Sequence, residues 1–487
     1  MNEEIRNLEP KRLWNIFTDL NAIPRPSKRE GKAIEFVKNF GENLGLETIV
    51  DEVGNVIIKK PATPGMENKT PVILQGHVDM VPQKNTGVDH DFDKDAIKML
   101  IDGDWVTADG TTLGADNGIG VSSILAILAS DDIPHPPLEG LFTMDEETGM
   151  TGAQKLKPGL LNGKILLNLD SEDDDEMTIG CAGGIDILVT GTYLEDNVKE
   201  SDVAFEVFVS GLTGGHSGMD IHLYRGNANK IMNRILWRLY KDYNIGIHSI
   251  DGGGLRNAIP RESKAVITVT KDLGDDVERK VRLLRDEIYN EYKTTDPDIN
   301  IDIIMTDAPQ YTMKGECVYK LLNSVYACWN GVYRMSPDVP GLTQTSNNLA
   351  RVLVKAGDLK IENLARSSVE SEKMDIAYAI KSAFKLAGYK VIFEGGYPGW
   401  QPDVEASINK VMKDIYYNNF GEEPHITACH AGLECGLIKE KYPDTEMISF
   451  GPNIRGPHSP DEKVQISSVQ KFWKLLLDTL KNIPDKK

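Results

Sequence analysis

Short, mostly apolar runs, each closed by a polar cluster, set the pattern of the first part of the chain. NVIIKK (55–60), PVILQ (71–75), LEGLFTM (138–144) and KILLNLD (164–170) each have the length of one strand. Their nearly unbroken apolar character predicts strands buried in a sheet rather than half-exposed ones. Between them VSSILAILAS (121–130) has the length and spacing of a helix packed on that sheet, and the chain opens on a further amphipathic helical stretch. The alternation predicts an α/β fold. The style changes after CAGGID (181–186). AFEVFVSG, a helix near 226–242, KAVITVT, a helix near 275–292 and INIDIIM read as a separate α+β unit. That unit runs to the turn-rich GGYPGWQPD (395–403), after which EASINKVMKDIYY and MISFG resume the first style. The expected organisation is a first domain in two parts, 1–185 and 398–487, interrupted by an inserted unit over 186–397. An insert of about 210 residues suggests two similar α+β subunits, although no internal sequence repeat marks them.

Composition narrows the classes. A chain of 487 residues exceeds what one core serves, and its 40% hydrophobic and 26% charged residues are those of a globular protein. No segment approaches the ~18 apolar residues of a membrane span. The N-terminus lacks the basic-then-apolar order of a signal peptide, so a cytoplasmic location is expected. Cys181, Cys317, Cys328, Cys429 and Cys435 are odd in number and form no C-x-x-C pair, which fits reduced thiols. A net charge of -20 excludes nucleic acid and anionic membrane as expected partners. The acidic run SEDDDE (171–176) reads as a solvated loop.

The polar clusters that close the apolar runs carry the candidate chemistry, because open α/β sheets build their sites at the carboxyl ends of strands. His77 and Asp79 stand two apart in extended chain and share a face, the spacing of a metal ligand with a carboxylate on its second ring nitrogen. Glu146 and Glu147 follow an apolar strand. A buried acid pair is costly unless neutralised, which suggests a cation. In TTLGADNGIG, Asp116 or Asn117 either caps the following helix or supplies a bridging carboxylate, with Gly114 and Gly118 allowing an unusual turn. Asp170 ends an apolar strand and is a better ligand candidate than the acids after it, with Glu172 left open. His458 lies in a Pro/Gly-rich loop that stiffens its backbone.

Taken in order, HVDMV, LGADNGIG, DEETGMTGA, NLDSED, GGHSGMDIH, NAIP, YPGWQPD, HAGLECG and HSPDE resemble the aminoacylase/glutamate-carboxypeptidase superfamily of di-zinc peptidases, and within it the aminoacyl-histidine dipeptidase branch. The resemblance implies an α/β zinc-peptidase domain with a mixed sheet between helices, interrupted by an α+β lid. It implies two Zn²⁺ per subunit, with Co²⁺ or Mn²⁺ fitting similar ligands. His77 and Asp170 would hold one metal, Glu147 and His458 the other, and Asp116 would bridge. Two dications give +4 against three carboxylates, so the set balances to +1. Glu146 would be the general base, Asp79 the orienting acid behind His77, and His216 the lid histidine facing the oxyanion. Asn257 and Arg366 would contact substrate, Arg366 at the terminal carboxylate; Glu434, at a helix start, either serves the helix end or, itself or through a neighbouring acid, holds the free ammonium. The expected substrates are small unblocked dipeptides, Xaa-His among them, and the expected assembly is a homodimer. An N-acyl amino acid deacylase with the same metal centre is the rival activity, and a scaffold that has lost the chemistry the rival of another class. In QTSNNLARV, Asn347 stands where the family pattern leads one to expect an apolar residue, which bears on substrate preference.

Overall fold

The computed structural model describes residues 2–486, which divide into two compact units. One runs to Gly180 and resumes over Trp400–Ala428 and from Leu433 onward; the other is Cys181–Gly399 with Cys429–Gly432. The divisions fall at 180 and 399 rather than 185 and 397. The reason is pairing: Gly183–Thr192 is hydrogen-bonded to Asp358–Ser367 along its whole length, starting from Gly183 opposite Ser367. The Ala182 amide also donates to the carbonyls of Cys429 and Ala431, which draws that loop to the inserted unit.

The first unit is built on an eight-stranded sheet in the order Glu47–Val50, Val56–Lys60, Leu138–Thr143, Val72–His77, Ile165–Asn168, Glu446–Ser449, Glu176–Cys181, His425–Cys429. Val72–His77 runs parallel to both neighbours and is buried at every residue, as its unbroken apolar run requires. Val56–Lys60 pairs antiparallel with Leu138–Thr143, so the sheet is mixed. Helix Ala115–Leu128 packs on Val72–His77, and every one of its residues except Asp116 is buried. Being apolar all round, it needs a second cover, which Lys11–Leu20 provides with Leu13, Trp14 and Phe17. A smaller sheet pairs Ile454–Arg455, Lys463–Gln465, Trp105–Ala108 and Met99–Asp102 in that order. Nothing in the periodicity announced it, yet it places the site: the HSPDE segment lies between its first two strands and is held beside the chain that leads to Asp116.

The second unit has a nine-stranded sheet. One half runs Asn300–Thr306, Asp202–Ser210, Ser263–Thr270, Gly246–Gly253; the other runs Thr343–Lys355, Asp358–Ser367, Gly183–Thr192, Lys390–Tyr397, with Gly331–Met335 beside Thr343–Lys355. Numbered in chain order within each half, the strands lie 4-1-3-2 and 2-3-1-4. These are two four-stranded α+β halves in mirrored order, fused where Gly246–Gly253 pairs with Thr343–Lys355. Helices Ala228–Tyr243, Gly274–Tyr292, Gly315–Ala327 and Glu370–Leu386 contribute to one apolar cluster over both halves. The duplication is topological, which is why no sequence repeat shows it.

Candidate metal and catalytic site

At the carboxyl ends of the parallel strands, Asp116 stands between two histidines. Its Oδ1 is 3.1 Å from His77 Nε2, and its Oδ2 is 3.3 Å from His458 Nε2. His77 Nε2 also faces Asp170 Oδ1 at 3.4 Å, and His458 Nε2 faces Glu147 Oε2 at 2.8 Å. The arrangement yields two three-residue groups that share one carboxylate: His77, Asp116, Asp170 and Asp116, Glu147, His458. Each strand contributes by ending where it does: His77 closes Val72–His77, Asp170 follows Ile165–Asn168, and Glu147 follows Leu138–Thr143. Asp116 escapes the helix it begins, since neither it nor Asn117 has helical dihedrals, and its oxygens face the histidines instead of capping. The Asn117 amide meanwhile ties the Leu169 carbonyl, next to Asp170, at 2.6 Å.

These groups fit a pair of cations. Asp116 and Glu147 hydrogen-bond His458 and, with their negative charge, push its imidazole up to about 11. For His77, burial pulls the pKa down but the carboxylates around it overcome this and raise it. Burial also pushes Asp170 up to about 6. Glu147 Oε1 and Asp170 Oδ1 are buried with no hydrogen-bond partner among the described residues. Histidine nitrogens, an excess of carboxylates and orphaned buried oxygens together call for positive charge at both points. Glu172 is half-buried and belongs to neither group.

Asp79 is fully buried, with Oδ1 at 3.3 Å from His77 Nδ1. The same carboxylate accepts the amides of Glu146 at 3.0 Å and Glu147 at 3.3 Å. It thus orients the ring of one candidate ligand and the backbone of the turn that carries another. Glu146 shares a third potential ligand group with His77 and Glu147. Burial first, then the neighbouring acids Asp170, Glu434 and Glu147, raise its carboxyl well above the usual range against the pull of His77.

Two further residues of this unit escaped the reading of the sequence. Glu462, inside HSPDE, is buried and accepts the amides of Leu113, Gly114, Ala115 and Asp116; Arg25, between two prolines, is buried and donates to the carbonyls of Val78, Asp79 and Gly114. They also correct the account of the glycines. Gly114 holds φ +71 and meets the expected turn, but Gly118 has an ordinary φ and matters for space: a Cβ there would stand 2.7 Å from Arg25 Nη2 and 2.8 Å from Phe17 Cε2. Glu434 is buried too, with Oε2 accepting from Gln75 Nε2 at 2.7 Å and Thr143 Oγ1 at 2.6 Å, while Oε1 has no hydrogen-bond partner among the described residues. Burial pushes its carboxyl up to about 7.

His216, Asn257 and Arg366 lie in the second unit. His216 Nδ1 accepts the amides of Gly218 at 3.2 Å and Met219 at 3.0 Å, which leaves Nε2–H as a donor. Burial, then the Arg366 charge, lowers its pKa. Asn257 sits on the neighbouring segment, its carbonyl accepting the Ser217 amide at 2.8 Å. Arg366 is buried, with Nη1 on the Tyr397 hydroxyl at 2.8 Å and Nε without a hydrogen-bond partner among the described residues. Asn347 is fully buried, and its amide donates to the Trp329 carbonyl at 2.7 Å and to Asn363 Oδ1 at 3.1 Å. These bonds hold the interior of the inserted sheet together, which accounts for a polar residue where an apolar one was expected.

The family to which the chain belongs makes it a metallopeptidase, a hydrolase of peptide bonds. The chain belongs to peptidase family M20/M25/M40, whose model matches residues 73–482. It is 43% identical over 486 residues to the cytosol non-specific dipeptidase of Escherichia coli (strain K12), covering 99% of this chain and 100% of that one. The crystal structure of aminoacylhistidine dipeptidase from Vibrio alginolyticus superposes with a TM-score of 0.96 at 43% identity, covering 100% of this chain and 99% of the other. A tripeptidase from Staphylococcus aureus, at 16% identity and a TM-score of 0.56 over 98% of this chain and 99% of the other, shares the fold.

Proposed function

We propose that the chain is a dipeptidase that hydrolyses unblocked dipeptides, Xaa-His among them, at a pair of divalent cations, zinc by preference. The observation that carries the reading is Asp116, which turns one oxygen to each of two histidines that have a further acid beside them. When bound, the cations would polarise the scissile carbonyl and lower the pKa of water toward ~7. Glu146 takes the proton of the attacking water and returns it to the leaving amine. His216, with Nε2–H as its donor, offers a hydrogen bond to the developing oxyanion. Arg366 receives the terminal carboxylate on a buried guanidinium that is not fully paired, Asn257 contacts the substrate backbone, and Glu434 Oε1 faces the free ammonium.

A deacylase is not favoured, because two relatives at 43% identity over the full chain are dipeptidases. The deciding experiment is turnover of Ala-His, β-Ala-His, Gly-Gly, Ala-His amide, N-acetyl-His and a tripeptide, before and after chelation and with zinc restored. We expect the unblocked dipeptides alone to be cleaved, with activity lost to the chelator and regained with zinc. Cleavage of N-acetyl-His would remove the role of Glu434 and revive the deacylase; cleavage of the amide would remove that of Arg366. Full activity after exhaustive chelation would defeat the metal reading.

The proposed setting is the cytoplasm, and the proposed assembly a homodimer, in which His216 serves its own subunit or the second one. The 43% identical relative from Escherichia coli, a cytosol dipeptidase by name, supports the first. Exposed apolar side chains flanking the two candidate substrate segments, Met219 at 51%, Tyr224 at 70% and Leu255 at 72%, support the second. Sedimentation velocity is expected to show a dimer at assay concentration, and a monomer alone would overturn it.

A further inference from the structure

Two oppositely charged side chains buried beside Asp116 have no part in the proposed chemistry, and both are spent on the backbone of one turn. Glu462 is 2% exposed. Its Oε2 accepts the amides of Leu113 at 2.7 Å and Gly114 at 2.9 Å, and its Oε1 those of Ala115 at 2.7 Å and Asp116 at 3.2 Å. Arg25 is 1% exposed and holds the other side of the turn. Its Nη2 donates to the Gly114 carbonyl at 2.5 Å and to Asn21 Oδ1 at 3.0 Å, and the Asn21 amide donates in turn to the Leu113 carbonyl at 2.9 Å. Arg25 Nη1 reaches the carbonyls of Val78 and Asp79, both at 3.1 Å. One cation therefore joins the turn that ends in Asp116 to the segment that carries Asp79, while one anion collects four consecutive amides of the same turn.

A buried charge pair is a costly way to brace a fold, since well-packed apolar residues often serve stability as well or better. What charged forks add is direction: they fix the orientation of a backbone segment to which a working side chain is attached. Here the attached side chain is the one that faces both histidines.

We infer that Glu462 and Arg25 are positioning residues for the bridging carboxylate, holding residues 113–116 so that both oxygens of Asp116 face their histidines before any cation arrives. The inference rests on the two-cation reading of the site. It separates two properties that would otherwise be merged: the ligands supply the bonds to metal, and the brace supplies the geometry that lets one carboxylate serve two metals at once.

Amide hydrogen exchange on the metal-free wild-type chain tests the pre-set geometry directly. A peptide spanning 113–116 is expected to be protected before metal is added and to change little when zinc is supplied. Fast exchange that slows only with zinc would overturn the inference. The Glu462→Gln variant keeps the side-chain size but turns an NH₂ group toward amide donors, so half of the grip is lost. Arg25→Lys keeps the charge without the fork. Each is expected to release zinc to a competing chelator about 10- to 100-fold more readily than wild type, with the dipeptide KM unchanged in excess zinc. Wild-type zinc affinity in a folded Glu462→Gln chain would overturn the inference, and should neither variant fold, the exchange measurement on the wild type decides it. A wild-type chain that bound no divalent cation would defeat the two-cation reading itself, a result the exchange pattern of the metal-free protein does not depend on.

Discussion

Glu146→Gln is expected to keep both cations and to lower kcat by ~10²- to 10⁴-fold, the range that a positioned general base supplies. The substitution preserves volume and leaves the turn intact, because it is the backbone amides of Glu146 and Glu147, not their side chains, that donate to Asp79. What disappears is a carboxylate able to hold a proton. Burial and three neighbouring acids raise the Glu146 carboxyl, and bound dications would oppose that rise. The structure also sharpens the test, since Glu146 lies close enough to His77 and Glu147 to be a ligand itself. Metal content measured beside kcat separates the roles. A base gives two cations per chain, a KM near wild type and a collapsed kcat; a ligand gives lost metal with lost activity. If the variant kept full turnover, Glu146 would be neither.

Much of the site was legible because strands end in sequence where they end in space. His77, Glu147 and Asp170 could be placed from apolar runs that break into acids, and those runs are central strands of the sheet. The inserted unit was less legible. The strand Thr343–Lys355 begins TQTSNN, and those residues are nonetheless buried, so hydrophobic alternation does not reveal it. Its polar side chains find partners on other segments, as the Asn347 amide group does at the Trp329 carbonyl and Asn363 Oδ1, while Asn347 Oδ1 has no hydrogen-bond partner among the described residues. The donor nitrogen of His216 is likewise a matter of which amides reach its ring, which no motif encodes. The brace on Asp116 joins residues 25 and 462 to residue 114, and the tertiary pairing of the smaller sheet brings 462 there. An arginine between prolines and the last acid of HSPDE gave no signal of their own.

Asp116→Ala should empty both metal positions together, and this is the largest effect expected of any ligand substitution. Asp116 is the residue common to the two ligand groups. Without it, His77 and Asp170 face one cation and His458 and Glu147 the other, with no carboxylate to neutralise the repulsion between the dications. Affinity should fall by more than the ~10- to 100-fold that loss of an outer-shell partner costs. Asp170→Ala is the comparison: it removes an acid from the His77 side alone, so the position beside His458 and Glu147 should keep its metal. Titrating each variant with zinc against a chromophoric chelator distinguishes the patterns. Two sites weakened together by Asp116→Ala and one by Asp170→Ala is the signature of a bridging carboxylate. If Asp116→Ala weakened one site and spared the other, the oxygen turned toward the spared histidine would be an ordinary hydrogen-bond acceptor and Asp116 a ligand to a single cation.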